Sequence, residues 1–364
     1  MALTLWPIRP EPAAAIVGKM ETRTLARTGV KVSSLCLGAM MFGDWGNQDH
    51  EDSIRIIHRA LDAGINFIDT ADVYSRGESE EIVGKALAGG RRDNVVLATK
   101  VHGTMGDDPN EFGNSRRWII REVENSLRRL GTDWIDIYQI HRPEQDTDID
   151  ETLGALSDLV HAGKIRYFGS STFPASQIVE AQWAARDRML VRPVSEQLSY
   201  SLLVRTPETD VLPTALRHRM SVICYSPLAA GWLSGKWRKG VEAPQPSTGR
   251  KPGNGIFATR YALDDPANAG KLDAADALAA LAEENGMTLV EMAIAFVVNH
   301  PAVTSAIIGP RTMEQLTTQL SAADITLSPE VLDRIDKIVT PGTTPNPFDS
   351  AYVNPALTAA SLRR

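Results

Sequence analysis

The chain has 364 residues, 43% hydrophobic and 23% charged, enough to bury one large core or two smaller ones. Its formal net charge of −7 and the lack of any long basic run argue against a nucleic-acid surface, which needs a concentrated basic face. No stretch approaches the roughly 18 apolar residues of a membrane span. Cys36 and Cys224 both fall inside predicted strands, where they make neither a disulfide framework nor a metal site. A reducing cytoplasm is the expected location.

Residues 1–19 lack the basic start and clean apolar run of a signal peptide, and their Pro and Ala content reads as a flexible extension. From Glu21 to Val32, with Thr28-Gly29 as the turn, the pattern is a hairpin placed to plug one end of the fold. Short β-rich runs then occupy 34–40, 66–72, 94–101, 134–141, 167–172, 193–200, 220–228 and 304–311. Between them lie amphipathic segments such as DSIRIIHRALDAG, ESEEIVGKALAGG and RRWIIREVENSLRRLG, each with apolar spacing near 3.6 and each ending at glycine. Eight βα units with short apolar strands imply a closed parallel (β/α)8 TIM barrel over residues 20–340, with an N-terminal β-hairpin cap. An open doubly wound sheet is the competing fold.

The rhythm breaks once, after the seventh run. A stretch rich in Gly, Pro, Lys and Arg, beginning GWLSGKWRKG, precedes two predicted helices near 269–285 and 289–299. A long loop after a strand end is expected to cover a functional face. The tail 341–364, with four prolines, is expected to be extended and to fold back over the barrel mouth.

Four polar residues stand at the ends of three of these strands: Asp69 and Tyr74 in FIDTADVY, Lys100 in VVLATK and His141 in IDIYQIH. In a parallel barrel all carboxy-terminal strand ends face one mouth, so the four would meet there. Taken singly they read as a strand-capping Asp, a core-edge Tyr, a snorkelling Lys and a buried His. Together, in consecutive units, they are the parts of a proton-transfer site. A free tyrosine has a pKa of about 10. An ammonium about 4 Å away favours the phenolate by roughly 4 kcal/mol at an effective dielectric of about 20, which predicts a Tyr74 pKa lowered by about three units. Asp69 would keep Lys100 charged, and His141 would offer a second hydrogen bond or relay the proton. Such a set is a general acid aimed at a carbonyl oxygen.

A carbonyl acid needs a hydride donor, yet no GxGxxG follows a strand and no Walker GxxxxGK[ST] occurs. A dinucleotide would therefore lie across the mouth. Ser171 and Thr172 suit a carboxamide, Gln197 its other edge, and Tyr225 a nicotinamide face. Gly309, Arg311 and Thr312 stand where a helix amino terminus and a guanidinium would receive a phosphate, although a plain strand–turn–helix with a Thr cap has the same pattern.

The runs GVKVSSLCLGAMMFG, FIDTADVY, LATK, IHRP, YSPLAAGWLSGK and IIGPRTMEQL resemble the aldo-keto reductase family from about Thr22 to Val339. The likeness is greatest to bacterial members that also resemble potassium-channel β-subunits. It implies a (β/α)8 barrel, NADPH lying across the mouth, and reduction of aldehydes and ketones, with small-molecule carbonyl compounds as partners. It implies Tyr74 as the acid, Lys100 and Asp69 as its tuning pair and His141 as the orienting group. It also implies cofactor contacts at Ala39, Met40, Asp69, Ser171, Thr172, Gln197, Tyr225, Ser226, Pro227, Leu228, Ala229, Ala230, Lys236, Arg250, Gly309, Arg311, Gln315 and Gln319. The chain departs from the family at Thr172, where Asn is usual, and at Gln319, in place of a late Asn. Two other functions share this frame: an NADPH-binding regulatory subunit with little turnover, and a Schiff-base enzyme using Lys100, against which Asp69 counts. Phe42, Trp45, Trp232 and Trp237 are candidates for the wall of an apolar pocket. Self-association and the particular substrate are not legible.

Overall fold

The eight predicted strands are all present, most of them shorter than their apolar runs, while Ile165–Ser171 and Val303–Ile308 begin ahead of theirs. The computed structural model describes residues 20–242 and 260–350. The extension 1–19, Arg250, most of the Gly/Pro-rich stretch and the last part of the tail lie outside the described residues. A small antiparallel pair comes first, β1 (Thr22–Thr24) and β2 (Lys31–Ser33). The barrel strands follow: β3 (Leu35–Gly38), β4 (Phe67–Asp69), β5 (Val96–Val101), β6 (Ile135–Ile140), β7 (Ile165–Ser171), β8 (Ser195–Ser199), β9 (Ser221–Tyr225) and β10 (Val303–Ile308). All neighbours are parallel, and β10 pairs with both β3 and β9, so the sheet closes on itself. The chain is a (β/α)8 barrel, and the open-sheet alternative falls.

Helices α1 (His50–Asp62), α2 (Glu78–Leu87), α3 (Arg116–Leu130), α4 (Ile149–His161), α5 (Ala175–Asp187) and α6 (Val211–Arg217) cover the outside. Ordinary cap chemistry sets their ends. Asp49 and Ser115 accept from backbone N–H groups at the starts of α1 and α3, and Gly131 ends α3 in the left-handed conformation. After β9 come α7 (Pro266–Glu284) and α8 (Leu289–Asn299), close to the two helices expected there. Then α9 (Met313–Leu320) and α10 (Pro329–Ile338) follow β10.

The hairpin closes the amino-terminal end of the barrel, as its position in sequence predicts. Arg23 Nη1 donates to Val298 O at 2.8 Å and Val303 O at 2.9 Å, and Ala26 N donates to Ser221 Oγ at 2.6 Å. Its apolar residues Leu25 and Val32 join Cys36, Phe67, Val96, Ala98, Ile137, Ile223 and Ile307 in one buried cluster. Those strand residues alternate with others that pack under the helices, since a strand's side chains have period two. Two residues further along the same inward face come Asp69 after Phe67, Lys100 after Ala98 and Gln139 after Ile137. The barrel interior is thus apolar at its base and polar at its mouth.

The mouth's geometry depends on close strand approach. A methyl on Gly169 of β7 would lie 2.7 Å from Ser195 O on β8, a backbone atom that cannot swing away. Gly169→Ala is expected to lower stability by about 1–3 kcal/mol, as overpacking does. Chemical denaturation is the check, with an unchanged midpoint meaning that β7 and β8 separate freely.

Candidate active site

The barrel brings Asp69, Lys100, Tyr74 and His141 together. Asp69 is 2% exposed and Lys100 fully buried. An ammonium carries three donors and no acceptor. All three are used: Lys100 Nζ donates to Asp69 Oδ1 at 2.5 Å, to Thr70 O at 2.7 Å and to Tyr74 Oη at 3.2 Å. Burial works against the charge on Lys100, but Asp69 and then Tyr74 outweigh it and hold its pKa above the usual lysine value. An amine so protonated and so occupied is a poor nucleophile, which counts against Schiff-base chemistry.

Asp69 is fixed from its other oxygen by two amides. Gln139 Nε2 donates to Oδ2 at 2.9 Å and Gln197 Nε2 at 2.8 Å, and Gln197 also reaches Gln139 Oε1 at 3.1 Å. Gln139 was not singled out in the sequence. It pairs with Lys100 in the sheet register and stands in phase with His141, a polar interruption of an inward apolar face that could have marked it. Gln197, expected at a carboxamide, therefore already has its nitrogen engaged within the protein.

Tyr74 sits in a short 3-10 turn, Tyr74–Gly77, just after β4, with Ser75 and Arg76 both in the left-handed region (φ 47° and 55°). Strained residues of this kind persist where surrounding contacts hold them. Ser75 Oγ here accepts from Trp45 N at 3.1 Å. The Tyr74 ring lies 6.0 Å from Trp45 and 5.8 Å, edge-on, from His141. The predicted lowering of its pKa does not hold. Burial raises it, Lys100 lowers it, and burial wins, leaving Tyr74 above the ordinary phenol value. The simple Coulomb sum omitted the desolvation of the phenolate, which the same burial imposes. His141 is held well below the usual imidazole range by burial and then by Lys100 and Arg142, so its ring is neutral at pH 7.

Arg250 apart, the expected cofactor positions lie among the described residues, several of them at or just after carboxy-terminal strand ends. Ala39 is buried and its N–H donates to Asp69 O at 2.8 Å, whereas Met40 is 45% exposed. Ser171 Oγ, Tyr225 Oη and Gln319 Oε1 are buried without a hydrogen-bond partner among the described residues. Orphaned polar atoms are rare inside proteins, and all three belong to residues expected to contact a cofactor. Thr172 turns its hydroxyl back on Ser171 O at 2.6 Å and is left-handed at φ 59°. Past β9, Ser226, Ala229 and Ala230 are left-handed too (φ 56°, 47° and 55°), with Pro227 and Leu228 between them. Lys236 is exposed, as is Gly309. Thr312 caps α9, Gln315 Oε1 accepts from Arg311 N at 2.9 Å, and the Arg311 carbonyl accepts from Asn47 at 3.1 Å.

Of the four aromatic wall candidates only Trp45 stands beside the tetrad. Phe42 is fully buried, and Trp232 and Trp237 stack on each other at 4.0 Å with Tyr261 against them, anchoring the chain after β9. The described start of the tail does run past the mouth: Asp349 O accepts from Ser199 Oγ at 3.5 Å, and its carboxylate pairs with Arg260 and Lys271.

Glu196 on β8 is a further buried carboxylate that sequence reading passed over. Ser170 Oγ donates to its Oε2 at 2.5 Å and Phe173 N to its Oε1 at 3.0 Å, which fixes the turn carrying Ser171 and Thr172. Burial pushes its pKa up to about 8. Folding thus favours the neutral form. The stability this confers is present below about pH 4.3, the unfolded value, and is lost as pH rises through about 8. Melting temperatures between pH 5 and 9 should fall with pH in the wild type, and less so in Glu196→Gln. Parallel curves would mean that Glu196 does not titrate there.

The structure is thus a closed eight-stranded parallel barrel with a buried Lys–Asp pair against a tyrosine at its mouth, the frame of a (β/α)8-barrel oxidoreductase. The chain belongs to the Aldo/keto reductase family, whose sequence profile matches residues 34–340. It is 39% identical over 330 residues to the uncharacterized oxidoreductase YrpG of Bacillus subtilis, covering 88% of this chain and 96% of the relative. It is 37% identical over 327 residues to a probable voltage-gated potassium channel subunit beta of Arabidopsis thaliana, covering 88% and 97%. It is 32% identical over 345 residues to versiconal hemiacetal acetate reductase of Aspergillus parasiticus, covering 88% and 98%. Among the described residues no helix is long and apolar enough to cross a membrane.

Proposed function

We propose that this oxidoreductase reduces aldehydes and ketones with NADPH, and that Tyr74 is the proton donor. The observation that carries the reading is the direction of one hydrogen bond. Lys100 Nζ donates to Tyr74 Oη at 3.2 Å, so the phenol oxygen is an acceptor on that side and its own proton is free to point into the mouth. Because burial keeps the pKa of Tyr74 high, that proton is present throughout the neutral range. Lys100 then stabilises the charge left on the phenol oxygen as the proton departs, with Asp69 keeping the ammonium in place. The neutral ring of His141 has no hydrogen-bond partner among the described residues and serves to orient the substrate oxygen.

When bound, NADPH supplies the hydride. Ser171, Tyr225 and Gln319 offer it their orphaned atoms, with Ala39, Met40, Thr172, Gln197, residues 226–230, Lys236, Gly309, Arg311 and Gln315 around them. Titration with NADPH, followed by an aldehyde panel assayed through NADPH oxidation, tests the proposal. Binding without turnover of any carbonyl would favour the regulatory reading that the channel-subunit relatives keep open. Absence of binding would end both.

Arg311 is the proposed reader of the 2′-phosphate, since a guanidinium at the start of α9 combines fork geometry with the helix dipole. Arg311→Ala should weaken NADPH by about tenfold to a hundredfold, from charge-assisted bonds of roughly 1.5–3 kcal/mol. NADH should barely change. Dissociation constants for both cofactors decide the matter, and equal losses would remove Arg311 from phosphate recognition.

A further inference from the structure

Arg142, the arginine of IHRP, is a cation at the mouth that proton transfer does not use. It follows His141 directly, beyond the end of β6, and is half-buried. Its Nη1 donates to His141 O at 2.8 Å and to Thr172 Oγ1 at 3.4 Å, while its own carbonyl accepts from Asn114 Nδ2 at 3.0 Å. Among the described residues neither Nε nor Nη2 has a hydrogen-bond partner, and no carboxylate forms an ion pair with the guanidinium. Several other partly buried arginines here are matched by carboxylates, Arg92 by Asp136, Arg129 by Glu80 and Glu122, and Arg205 by Glu208 and Asp336, whereas Arg27 and Arg192, away from the mouth, donate to carbonyl and amide oxygens.

The carboxylates near Arg142 are directed elsewhere. Asp69 faces Lys100, Glu196 faces Ser170 and Phe173, and Glu144 accepts from Asn114 N at 2.6 Å and Thr147 Oγ1 at 2.9 Å. Nor is the charge remote from the tetrad. The guanidinium's hydrogen bonds to His141 O and Thr172 Oγ1 place it just beyond the carboxy-terminal ends of β6 and β7, and its charge is felt by Tyr74, His102, His141 and Tyr225, at or just after the ends of β4, β5, β6 and β9, and by Glu196 within β8.

We infer that Arg142 receives the carboxylate of the substrate, so that the preferred substrates are oxo acids: aldehydes or ketones that carry a carboxylate on the same small molecule. The inference rests on the carbonyl-reducing function proposed above. One edge of the guanidinium is tied to the His141 carbonyl, which fixes the plane, and the Nη2–Nε edge remains for a bidentate carboxylate. Anchoring the acid beside His141 would place the carbonyl of the same molecule next to Tyr74. Holding a substrate by a group remote from the reacting atoms lets binding energy orient it.

The test compares 3- and 4-carboxybenzaldehyde with the corresponding carbamoylbenzaldehydes, which keep the shape and lose the charge. The wild type should show a kcat/KM ratio of acid to amide of about ten or more, eroding as salt is raised. In Arg142→Met that ratio should fall by about tenfold to a hundredfold, and Arg142→Lys, which keeps charge without the fork, should lie between. A wild type that reduces acids and amides equally overturns the inference while carbonyl reduction stands, as does a ratio unmoved by Arg142→Met. Should no carbonyl be reduced at all, the proposed function fails and calorimetry still decides the site. Benzoate binding to wild-type protein in NADP+, lost in the Met and weakened in the Lys variant while benzamide stays weak, upholds a carboxylate site. Equal binding of benzoate and benzamide rejects it.

Discussion

Tyr74→Phe is expected to lower carbonyl reduction by about 10² to 10⁴, the usual contribution of a positioned general acid. The change removes one oxygen and leaves the ring, so its contacts with Trp45 and His141 survive. Lys100 loses one of three acceptors but keeps Asp69 and Thr70 O. NADPH affinity should therefore stay nearly intact, which separates loss of the proton from loss of the site. Stopped-flow reduction of an aldehyde, with a cofactor titration beside it, reads both. Retention of more than roughly a tenth of wild-type turnover would be too much for a missing general acid and would sink the assignment of Tyr74.

Much of this arrangement was readable because barrel strands obey a period of two. Phe67 and Asp69, Ala98 and Lys100, and Ile137 and His141 share parity within their own strands, so apolar patterning below located polar groups above. Local signals also gave the hairpin and the cap at Thr312. What escaped were groups whose meaning is nonlocal. Gln139 looks like one polar residue in IDIYQIH until β4 and β8 bring Asp69 and Gln197 against it. Glu196 declares itself only when the turn after β7 folds over it. Trp232 and Trp237 resembled pocket walls because a loop sequence does not say which of its aromatics pack on one another. The tuning of Tyr74 failed for a different reason. Distance to a charge can be guessed from a motif, but the desolvation that opposes it depends on the whole mouth.

Lys100→Met should be the more damaging substitution for the protein as a whole. The side chain is fully buried, so Met fills much of its volume, but the Asp69 carboxylate is left with Gln139 and Gln197 as its remaining side-chain partners. Removing one member of a buried ion pair typically costs about 3–5 kcal/mol, because the other charge stays behind. Asp69→Asn in the same chain removes that charge and should restore much of the lost stability without restoring the rate. Catalysis suffers separately: Lys100 is the main group that opposes the effect of burial on Tyr74, so its loss raises the tyrosine pKa further. The phenol would then release its proton less readily. Turnover should fall, and any alkaline limb of the pH–rate profile should move to higher pH. Denaturation curves of the single and double variants report the ion pair, and pH–rate profiles report the acid. If Lys100→Met lost stability yet kept a normal rate and an unmoved profile, Lys100 would be a structural partner of Asp69 and not the group that assists Tyr74.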